Sequence, residues 1–353
     1  MENYALILNH LSEYDEDEIF YRDYYYAQKS PEKLKAFLAA HTPEEVQERR
    51  LICPELCPWN VHLVDETSFF RAKASRNVWV QKHSRYSPPF LHSHEYFEIF
   101  YVLTGSCTHT ICGRETVMPQ GTLCFIAPYV EHSVGVFDDS IVLNIMLQHS
   151  TFDDIFFNLL RSQNVLSSFF LSNLYTTSKM SCLCFQVEDE ELINLLLSMI
   201  LEEVVEDDYT YRILSHIISI FFTKLVRKYG KSTASYTLDS EINQNALDIL
   251  SYINDHYKTV TLEDVAEHYH YTPAHCSRLI KAETGQNFTQ LLRNVRLRRA
   301  ETLLLTTSCS VEEISYMIGY ENAATFIKRF KEQYQMTPGQ FRQKSPRLNG
   351  AAR

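Results

Sequence analysis

The residues best suited to chemistry lie on a short predicted helix in the C-terminal part of the chain, and the chemistry that suits them is DNA binding. Thr272 can cap this helix, and Pro273 can take its first position, where proline is tolerated. Cys276 and Ile280 mark its apolar face, and the opposite face carries polar and basic side chains that include Arg278. A guanidinium group can donate two hydrogen bonds to guanine, which contributes roughly 1–3 kcal/mol of discrimination between bases.

A second short helix precedes this one, and a tight break at His270 separates the two. Thr261 can cap the earlier helix, with Asp264 three residues on, which is the spacing of a capping box. Two short helices around a tight turn, with polar residues exposed on the second, are typical of a helix-turn-helix unit. The apolar residues of the earlier helix share one face by their spacing: Leu262, Val265, Ala266 and Tyr269.

The same pattern then repeats. Ser310 and Glu313 form a capping box of the strict form. The stretch 288–305 between the copies has helical periodicity, so we expect a rigid helix that joins two helix-turn-helix units. Basic residues recur at matching positions, Arg278 and Lys281 in the first copy and Lys328 and Lys331 in the second.

At these residues the chain resembles the DNA-binding domain of the AraC/XylS family of transcriptional regulators. The resemblance implies a sequence-specific regulator of transcription that reads double-stranded DNA. Gln335 departs from the family, which usually has a glycine there, so the end of the second recognition helix stays open. The segments that carry the resemblance are 277–285, 296–300, 311–320, 326–331 and 336–342.

The resemblance also implies which side chains contact DNA. In the family, base contacts come from the early exposed positions of each recognition helix. Carried onto this chain, these are Ala274, Ser277 and Arg278 in the first helix and Asn322, Thr325 and Lys328 in the second. Basic residues nearby are better placed for phosphates, which add affinity and salt dependence without sequence information. These phosphate contacts are Lys281, Arg329 and Lys331.

The charge distribution fits a DNA-binding end on an acidic protein. The whole chain has a formal net charge of −11, which alone argues against a nucleic-acid partner. Residues 271–353 carry 13 Lys/Arg and 6 Asp/Glu, however, and residues 1–270 carry 20 and 38. The basic part therefore coincides with the repeat, as expected for an acidic sensor joined to a basic DNA reader.

The middle of the chain has the pattern of an antiparallel β-barrel or sandwich. Short apolar runs between 78 and 126 are separated by turn residues, and glycines punctuate them. The segments 92–98, 119–121 and 128–132 resemble the cupin double motif, in the form found in sensor domains of AraC-type regulators. The resemblance implies a small-molecule effector pocket lined by His92, His94, Glu98 and His132.

The same four positions hold a divalent metal in enzymatic cupins. His92 and His94 are two apart on a predicted strand and point the same way, and imidazoles with a carboxylate suit Fe, Mn, Ni or Zn. Against a metal, Tyr86 and Val130 stand where the enzymatic motifs have glycines, and His132 comes one residue early. We therefore expect no metal and no cofactor.

The predicted fold class is α+β multidomain, with an N-terminal cupin-like antiparallel barrel with helices and a C-terminal all-α domain. The helical region after the barrel has two apolar stripes, Leu192–Leu195–Leu196–Met199 and Ile213–Ile217–Ile220–Phe221, and the resemblance implies that it forms a homodimer. The predicted parts are an acidic, mostly helical extension (1–75), the sensor barrel (76–185), the dimerisation region (186–230), a polar linker (231–240) and the double helix-turn-helix domain (241–345).

The remaining features bound the location and the class of protein. The nine cysteines are odd in number and scattered, which favours reduced thiols, and no basic signal-peptide region opens the chain. The apolar runs are too short to span a bilayer. We expect a cytoplasmic, non-membrane protein, and we expect the acidic run 15–18 to be solvated.

The leading prediction is a transcriptional regulator whose cupin-like domain senses a small molecule, with sugars as one effector class. RNA polymerase is a further candidate partner. Two alternatives stay open: a metal-dependent cupin enzyme fused to a DNA-binding module, and a regulator controlled by a protein partner. No nucleophile–base pair and no phosphate-binding loop argues for catalysis, so we do not expect an enzyme.

Overall fold

The computed structural model describes most of the chain as two compact units. The described residues are 2–58, 63–64, 78–147, 164–177, 181–205, 207, 209–231, 236–237 and 243–344. The N-terminal unit holds the described residues up to 147 together with 181–221, and the C-terminal unit holds 164–177 and those from 222 onward.

Four helices open the N-terminal unit, as the sequence predicts for its first part. Each of the last three begins at a residue suited to capping, and Pro31 and Pro43 take the first turns of their helices. The bounds are α1 Glu2–Ser12, α2 Glu16–Ala27, α3 Pro31–Ala40 and α4 Pro43–Glu48.

Strands follow, and most of those between 78 and 126 lie where alternation and turn residues predict. They pair antiparallel, except that 63–64 and 93–94 pair in parallel. Five of them form one sheet in the order β10-β7-β4-β9-β2, and three form a second sheet in the order β6-β5-β8. The strands are β1 Leu63–Val64, β2 Val78–Lys82, β3 Ser93–His94, β4 Phe97–Thr104, β5 Ser106–Ile111, β6 Arg114–Pro119, β7 Thr122–Ile126, β8 His132–Gly135, β9 Ile141–Leu147 and β10 Cys182–Gln186.

One face of the five-stranded sheet, which we call the inner face, carries the chemistry of this unit. The register places Glu98 of β4 opposite Ile126 and Phe100 opposite Cys124 of β7, so these side chains share a face. The three-stranded sheet covers it, since the ring of His109 on β5 lies 5.1 Å from that of Phe100. Both faces of β4, β7 and β9 are buried, which explains their unbroken apolar sequences.

Two helices follow the sheets, α6 Glu190–Val205 and α7 Thr210–Tyr229. The predicted stripe on α6 is mostly buried, with Leu192, Leu196 and Met199 in the core. The stripe predicted on α7 lies largely outside the core, with Ile213 and Ile220 exposed and Phe221 buried. This helix has apolar residues around most of its circumference, so its sequence fits more than one stripe. Its buried face consists of Leu214, Ile218, Phe221, Phe222 and Leu225.

The C-terminal unit is helical. Its helix α5 precedes β10 in sequence, so the chain leaves the sheets and returns to them. The bounds are α5 Val165–Tyr175, α8 Gln244–Asp255, α9 Leu262–His268, α10 Pro273–Thr284, α11 Phe288–Thr306, α12 Val311–Met317, α13 Ala323–Tyr334 and α14 Pro338–Lys344. A short strand, β11 Tyr236–Thr237, lies before α8.

The predicted fold class is confirmed: antiparallel sheets come first and a helical domain follows. The compact units differ from the predicted parts at two places among the described residues. The helix α5 groups with the C-terminal helices although the sequence assigned 164–177 to the barrel, and the division after Phe221 falls within the predicted dimerisation region, 186–230. Most of the predicted linker, 232–235 and 238–240, lies outside the described residues, as do 65–75 of the N-terminal extension. The boundaries of the parts stay predictions.

The acidic run 15–18 is not wholly solvated, which corrects the prediction. Asp15 and Glu18 form a capping box at the start of α2, and Glu18 is fully buried. The Glu18 carboxylate accepts hydrogen bonds from Lys82 Nζ at 2.6 Å and from Arg85 Nη2 at 2.9 Å. Both cations also donate to backbone carbonyls at the end of α1. A pattern of like charges cannot reveal a buried carboxylate, because its partners lie 64 and 67 residues away.

Replacement of Glu18 by alanine should destabilise the N-terminal unit. Lys82 and Arg85, which are 12% and 1% exposed, would lose their carboxylate partner and stay buried. Loss of one partner from a buried ion pair typically lowers the free energy of unfolding by about 3–5 kcal/mol. We expect the melting temperature of this unit to fall by about 10 °C, measured by circular dichroism.

Glu16→Ala is the matched control, since Glu16 belongs to the same acidic run and is exposed. It should melt within about 2 °C of the unchanged protein. Equal melting temperatures for Glu18→Ala and Glu16→Ala would show that the Glu18 ion pairs do not hold α2 on the sheets.

Candidate DNA-binding and effector sites

The first helix-turn-helix unit forms as its sequence predicts. Thr261 and Asp264 make a reciprocal capping box at the start of α9, and Thr272 caps α10. The buried residues of α10 include Cys276 and Ile280, and those of α9 are Val265 and Ala266. The capping residues and the spacing of the apolar residues therefore determine where α10 begins and which face it buries. Both signals come from neighbouring residues in the sequence.

The second unit is built in the same way. Ser310 and Glu313 make the predicted capping box of α12, and Asn322 caps α13. Phe326 and Phe330 of α13 are fully buried at the positions that correspond to Cys276 and Ile280. The rings of Phe326 and Phe330 pack against each other, with their centroids 5.6 Å apart.

The turns of the two units use the same backbone conformation with different residues. The tight turn between the helices has a positive φ in both, 56° at His270 and 87° at Gly319. The recognition helices also end alike, at Gly285 with φ 69° and at Gln335 with φ 57°. Gln335 thus adopts the left-handed conformation that the family's usual glycine would adopt, and α13 ends at Tyr334.

The structure places the predicted DNA contacts on the outer sides of α10 and α13. Ser277 is half-buried, and Arg329 is half-buried and paired with Glu332 at 2.8 Å. Contact of Arg329 with a phosphate would thus compete with this ion pair. The other predicted contact residues are exposed: Ala274, Arg278, Lys281, Asn322, Thr325, Lys328 and Lys331.

An arginine that the sequence did not single out, Arg296, links the two helix-turn-helix units. Arg296 lies on α11, the helix between them, and its guanidinium donates to the carbonyls of Tyr257 and Lys258, each at 2.8 Å. Gly319 of the second unit packs against the same backbone, since an added Cβ would lie 2.4 Å from the Lys258 carbonyl oxygen. The motif that contains Arg296 was available from sequence, but its backbone partners were not.

The four residues predicted to line the effector pocket come together on the inner face. His94 Nε2 and His132 Nε2 each lie 3.1 Å from Glu98 Oε2, and the His92 ring lies 4.5 Å from the His132 ring. Glu98 Oε1 also accepts a hydrogen bond from Asn144 at 2.9 Å. Asn144 belongs to β9, and its sequence context, a strongly apolar strand, gave no signal of this role.

Burial sets the electrostatics of this cluster. Burial of Glu98 alone would raise its pKa, but hydrogen bonds from His132 and His94 outweigh it and hold the pKa well below its ordinary value. Burial, with repulsion from His132, lowers the pKa of His92 to about 4. The cluster therefore presents an ionised carboxylate and a neutral His92 imidazole at pH 7.

The donor set also fits a divalent cation. Nδ1 of His94 lies 2.6 Å from the Tyr96 carbonyl and Nδ1 of His132 lies 3.0 Å from that of Val130, so each Nδ1 donates. Each Nε2 would bind the cation in place of its hydrogen bond to Glu98. The ligand atoms of His92, Glu98 and His132 lie within 4.8 Å of one another. These residues would hold such a cation, which would neutralise the carboxylate.

The Tyr86 departure from the cupin motif does not fill this cluster. Tyr86 adopts φ 60°, the region that glycine favours, and its ring packs beside those of Tyr14 and Tyr25. The departure therefore preserves the backbone of the motif, and the substituted side chain packs elsewhere.

Family models of known proteins match the two stretches of the chain that contain these sites. The family model described as an AraC-like ligand binding domain matches residues 81–220, and one described as a helix-turn-helix domain matches 265–344. The chain is similar to the HTH-type transcriptional regulator YfiF of Bacillus subtilis strain 168, at 23% identity over 259 residues, which cover 71% of this chain and 78% of that protein.

Two further proteins are similar to this chain. The HTH-type transcriptional activator RhaS of Escherichia coli is 24% identical over 255 residues, which cover 71% of this chain and 87% of RhaS. The C-terminal domain of AraT, a response regulator from Geobacillus stearothermophilus, is 31% identical, with 32% of this chain and 95% of that domain covered and a TM-score of 0.30.

The two family models lie in the order that the sequence predicts, sensor first and DNA reader second. The chain belongs to the AraC family of transcriptional regulators. This AraC-family protein is a DNA-binding regulator with an N-terminal ligand-binding domain. Among its described residues, no helix is both long enough and apolar enough to cross a membrane.

Replacement of Arg296 by lysine should loosen the C-terminal unit although the charge is kept. An ammonium group cannot donate to two carbonyls in the planar geometry of a guanidinium, so one of the two carbonyls loses its hydrogen bond from position 296. Loss of a hydrogen bond from a charged donor lowers stability by about 1.5–3 kcal/mol. The melting temperature of the C-terminal unit should fall by about 5 °C.

Arg293→Lys on the same helix is the control, and it should melt as the unchanged protein does. Equal melting of the two lysine variants would mean that Arg296 does not hold α11 against the first unit.

Proposed function

We propose that this AraC-family protein reads DNA with α10 and α13, one recognition helix in each of two major grooves. The base contacts in this proposal are Ala274, Ser277 and Arg278 from α10, and Asn322, Thr325 and Lys328 from α13. The observation that supports it most is that six residues predicted from sequence lie on the outer sides of two helices built alike. Ala274 offers only a methyl group, whereas Arg278 is exposed and can bond to guanine in two places.

The phosphate contacts in this proposal are Lys281, Arg329 and Lys331. Lys281 and Lys331 are exposed in the last turn of their helices. Their ammonium groups neutralise phosphate charge whatever the base sequence, so they add affinity and salt dependence. Arg329 joins them if its pairing with Glu332 is exchanged for a phosphate.

We further propose that the cluster of His92, His94, Glu98 and His132 binds the effector, a small polar molecule such as a sugar. A buried carboxylate among imidazoles and Asn144 offers hydrogen-bond acceptors and donors to hydroxyl groups. Control by a protein partner, or metal-dependent catalysis at the same cluster, are the alternatives. We infer no enzymatic activity, because the chain's known relatives are transcriptional regulators.

A homodimer formed by α6 and α7 is also proposed. Apolar side chains are exposed on both helices, with Val204 66% and Ile220 48% exposed. Exposed apolar groups of this kind are typical of a surface that a second copy covers. The DNA target places the protein in the cytoplasm in this proposal, where RNA polymerase would be its further partner. The remaining exposed apolar residues of this surface are Leu201, Val205, Tyr209 and Ile213.

The variants Arg278→Ala and Lys281→Ala separate base reading from phosphate binding. On a duplex selected from a random pool, Arg278→Ala should weaken specific binding by about 10- to 100-fold and leave binding to unrelated DNA nearly unchanged. Lys281→Ala should weaken both in proportion and lower the slope of log affinity against log salt by about 0.9. Fluorescence anisotropy at several salt concentrations measures both quantities.

A proportional loss of specific and non-specific binding in Arg278→Ala would assign Arg278 to a phosphate and overturn its proposed role. Unchanged binding in both variants would remove α10 from the DNA interface altogether.

A further inference from the structure

Three cysteines lie together on the inner face, apart from the residues used so far. Cys124 of β7 lies directly opposite Cys184 of β10 in the sheet register. Cys182 precedes Cys184 by two residues, so both side chains lie on the same side of β10. All three side chains are buried. Their sulfur atoms lie within 4.8 Å of one another, and those of Cys124 and Cys184 are 3.0 Å apart.

The sulfur–sulfur distances lie on either side of the separation that a metal–thiolate site requires. A Zn–S bond is about 2.3 Å long, so two thiolates of a tetrahedral site lie about 3.8 Å apart. Small rotations of the three side chains about χ1 would bring the sulfur atoms to this separation around one ion. Few protein sites for other ligands bring three thiols to one point, since a thiol is a weak hydrogen-bond partner.

A buried histidine lies near the thiols, although its ring nitrogens are not among the ligand atoms that lie within 4.8 Å of one another. His109 of β5 is fully buried, and neither of its ring nitrogens has a hydrogen-bond partner in the described structure. It interacts electrostatically with Cys182, and burial lowers its pKa to about 4, so its ring is neutral and has a free lone pair at pH 7. A buried imidazole without a partner is unfavourable by the loss of its hydrogen bonds to water, and a metal ion would supply a partner.

We propose that Cys124, Cys182 and Cys184 bind a thiophilic ion of the Zn²⁺ type, and that the His109 side chain turns toward them to complete the ligand set. Three thiolates and one imidazole are an established tetrahedral ligand set for zinc, and four protein ligands leave no open position for catalysis. The ion would link β10 to β7 and to β5, and so tie the strand that precedes α6 to both sheets.

The proton balance of binding is defined. Burial raises the pKa of Cys124 well above its ordinary value, so the thiols are protonated without the ion. Each sulfur–metal bond replaces an S–H bond, and the three protons leave to solvent. The three thiolates carry three negative charges and the divalent ion carries two positive ones. The neutral His109 ring adds no charge.

The site is distinct from the cluster of His92, Glu98 and His132. That cluster offers nitrogen and oxygen donors, which suit harder ions, whereas the thiols select softer ones. The two nevertheless share the inner face, since the His109 and His132 rings lie 6.0 Å apart. Occupancy of the thiol site is therefore tested with a probe that reports sulfur ligation directly.

The test is a Co²⁺ titration of the full-length, reduced protein, followed by its absorption spectrum. The proposal predicts one Co²⁺ per chain with a sulfur-to-cobalt charge-transfer band and the intense visible bands of a tetrahedral site, both abolished by one equivalent of Zn²⁺. His109→Gln should shift the visible bands and keep the charge-transfer band. Cys182→Ser should weaken Co²⁺ binding by at least about 100-fold, beyond what loss of an outer-shell partner does.

Cys112→Ser, an exposed thiol of the same unit, is the matched control and should bind as the unchanged protein does. The charge-transfer band of the unchanged protein decides the matter even if a cysteine variant fails to fold. Absence of that band would overturn the proposal. So would Co²⁺ binding that is lost in His92→Ala and kept in Cys182→Ser, or a Cys124–Cys184 disulfide as the only reaction of these thiols.

Discussion

The DNA-reading half of the protein depends on how closely two backbone segments approach each other at Lys258. The carbonyl of Lys258 accepts a hydrogen bond from Arg296 on the connecting helix, and Gly319 of the second helix-turn-helix unit packs against the same residue. First unit, connector and second unit therefore meet at one point of the chain. This contact requires glycine at position 319, because an added Cβ would lie 2.4 Å from the Lys258 carbonyl oxygen. The connector has 19 residues and spans about 28 Å, less than one turn of B-DNA.

A second constraint governs the sensor half of the protein. Polar side chains are buried between two sheets that are otherwise apolar. Glu98 is buried and ionised because two imidazoles and an amide bond to it. Its neighbours on the same face include three thiols. The facing strand β5 adds His109, whose ring nitrogens have no hydrogen-bond partner in the described structure. Buried polar groups are unfavourable unless satisfied, so this interior is built to receive something. A small polar effector and a thiophilic ion satisfy different parts of it.

Local signals predicted much of this structure. The capping boxes at Thr261 and Ser310 and the apolar alternation of β4 and β7 depend on neighbours in sequence, and each was confirmed. The buried Glu18 and the role of Arg296 could not be predicted, because their partners lie between 38 and 67 residues away. The sequence also left open whether the stripe on α7 packs in the core or forms an interface, because an apolar residue on a helix fits both equally well.

The central claim is that two similar recognition helices, held by one connector, read two successive major grooves. Selection of duplexes by the full-length protein from a fully randomised pool tests it most directly. We expect two conserved sequence blocks whose centres lie about 10–10.5 base pairs apart, on one side of the duplex. A single conserved block, or two blocks about half a turn apart, would contradict it, because rigidly joined helices cannot enter grooves on opposite sides.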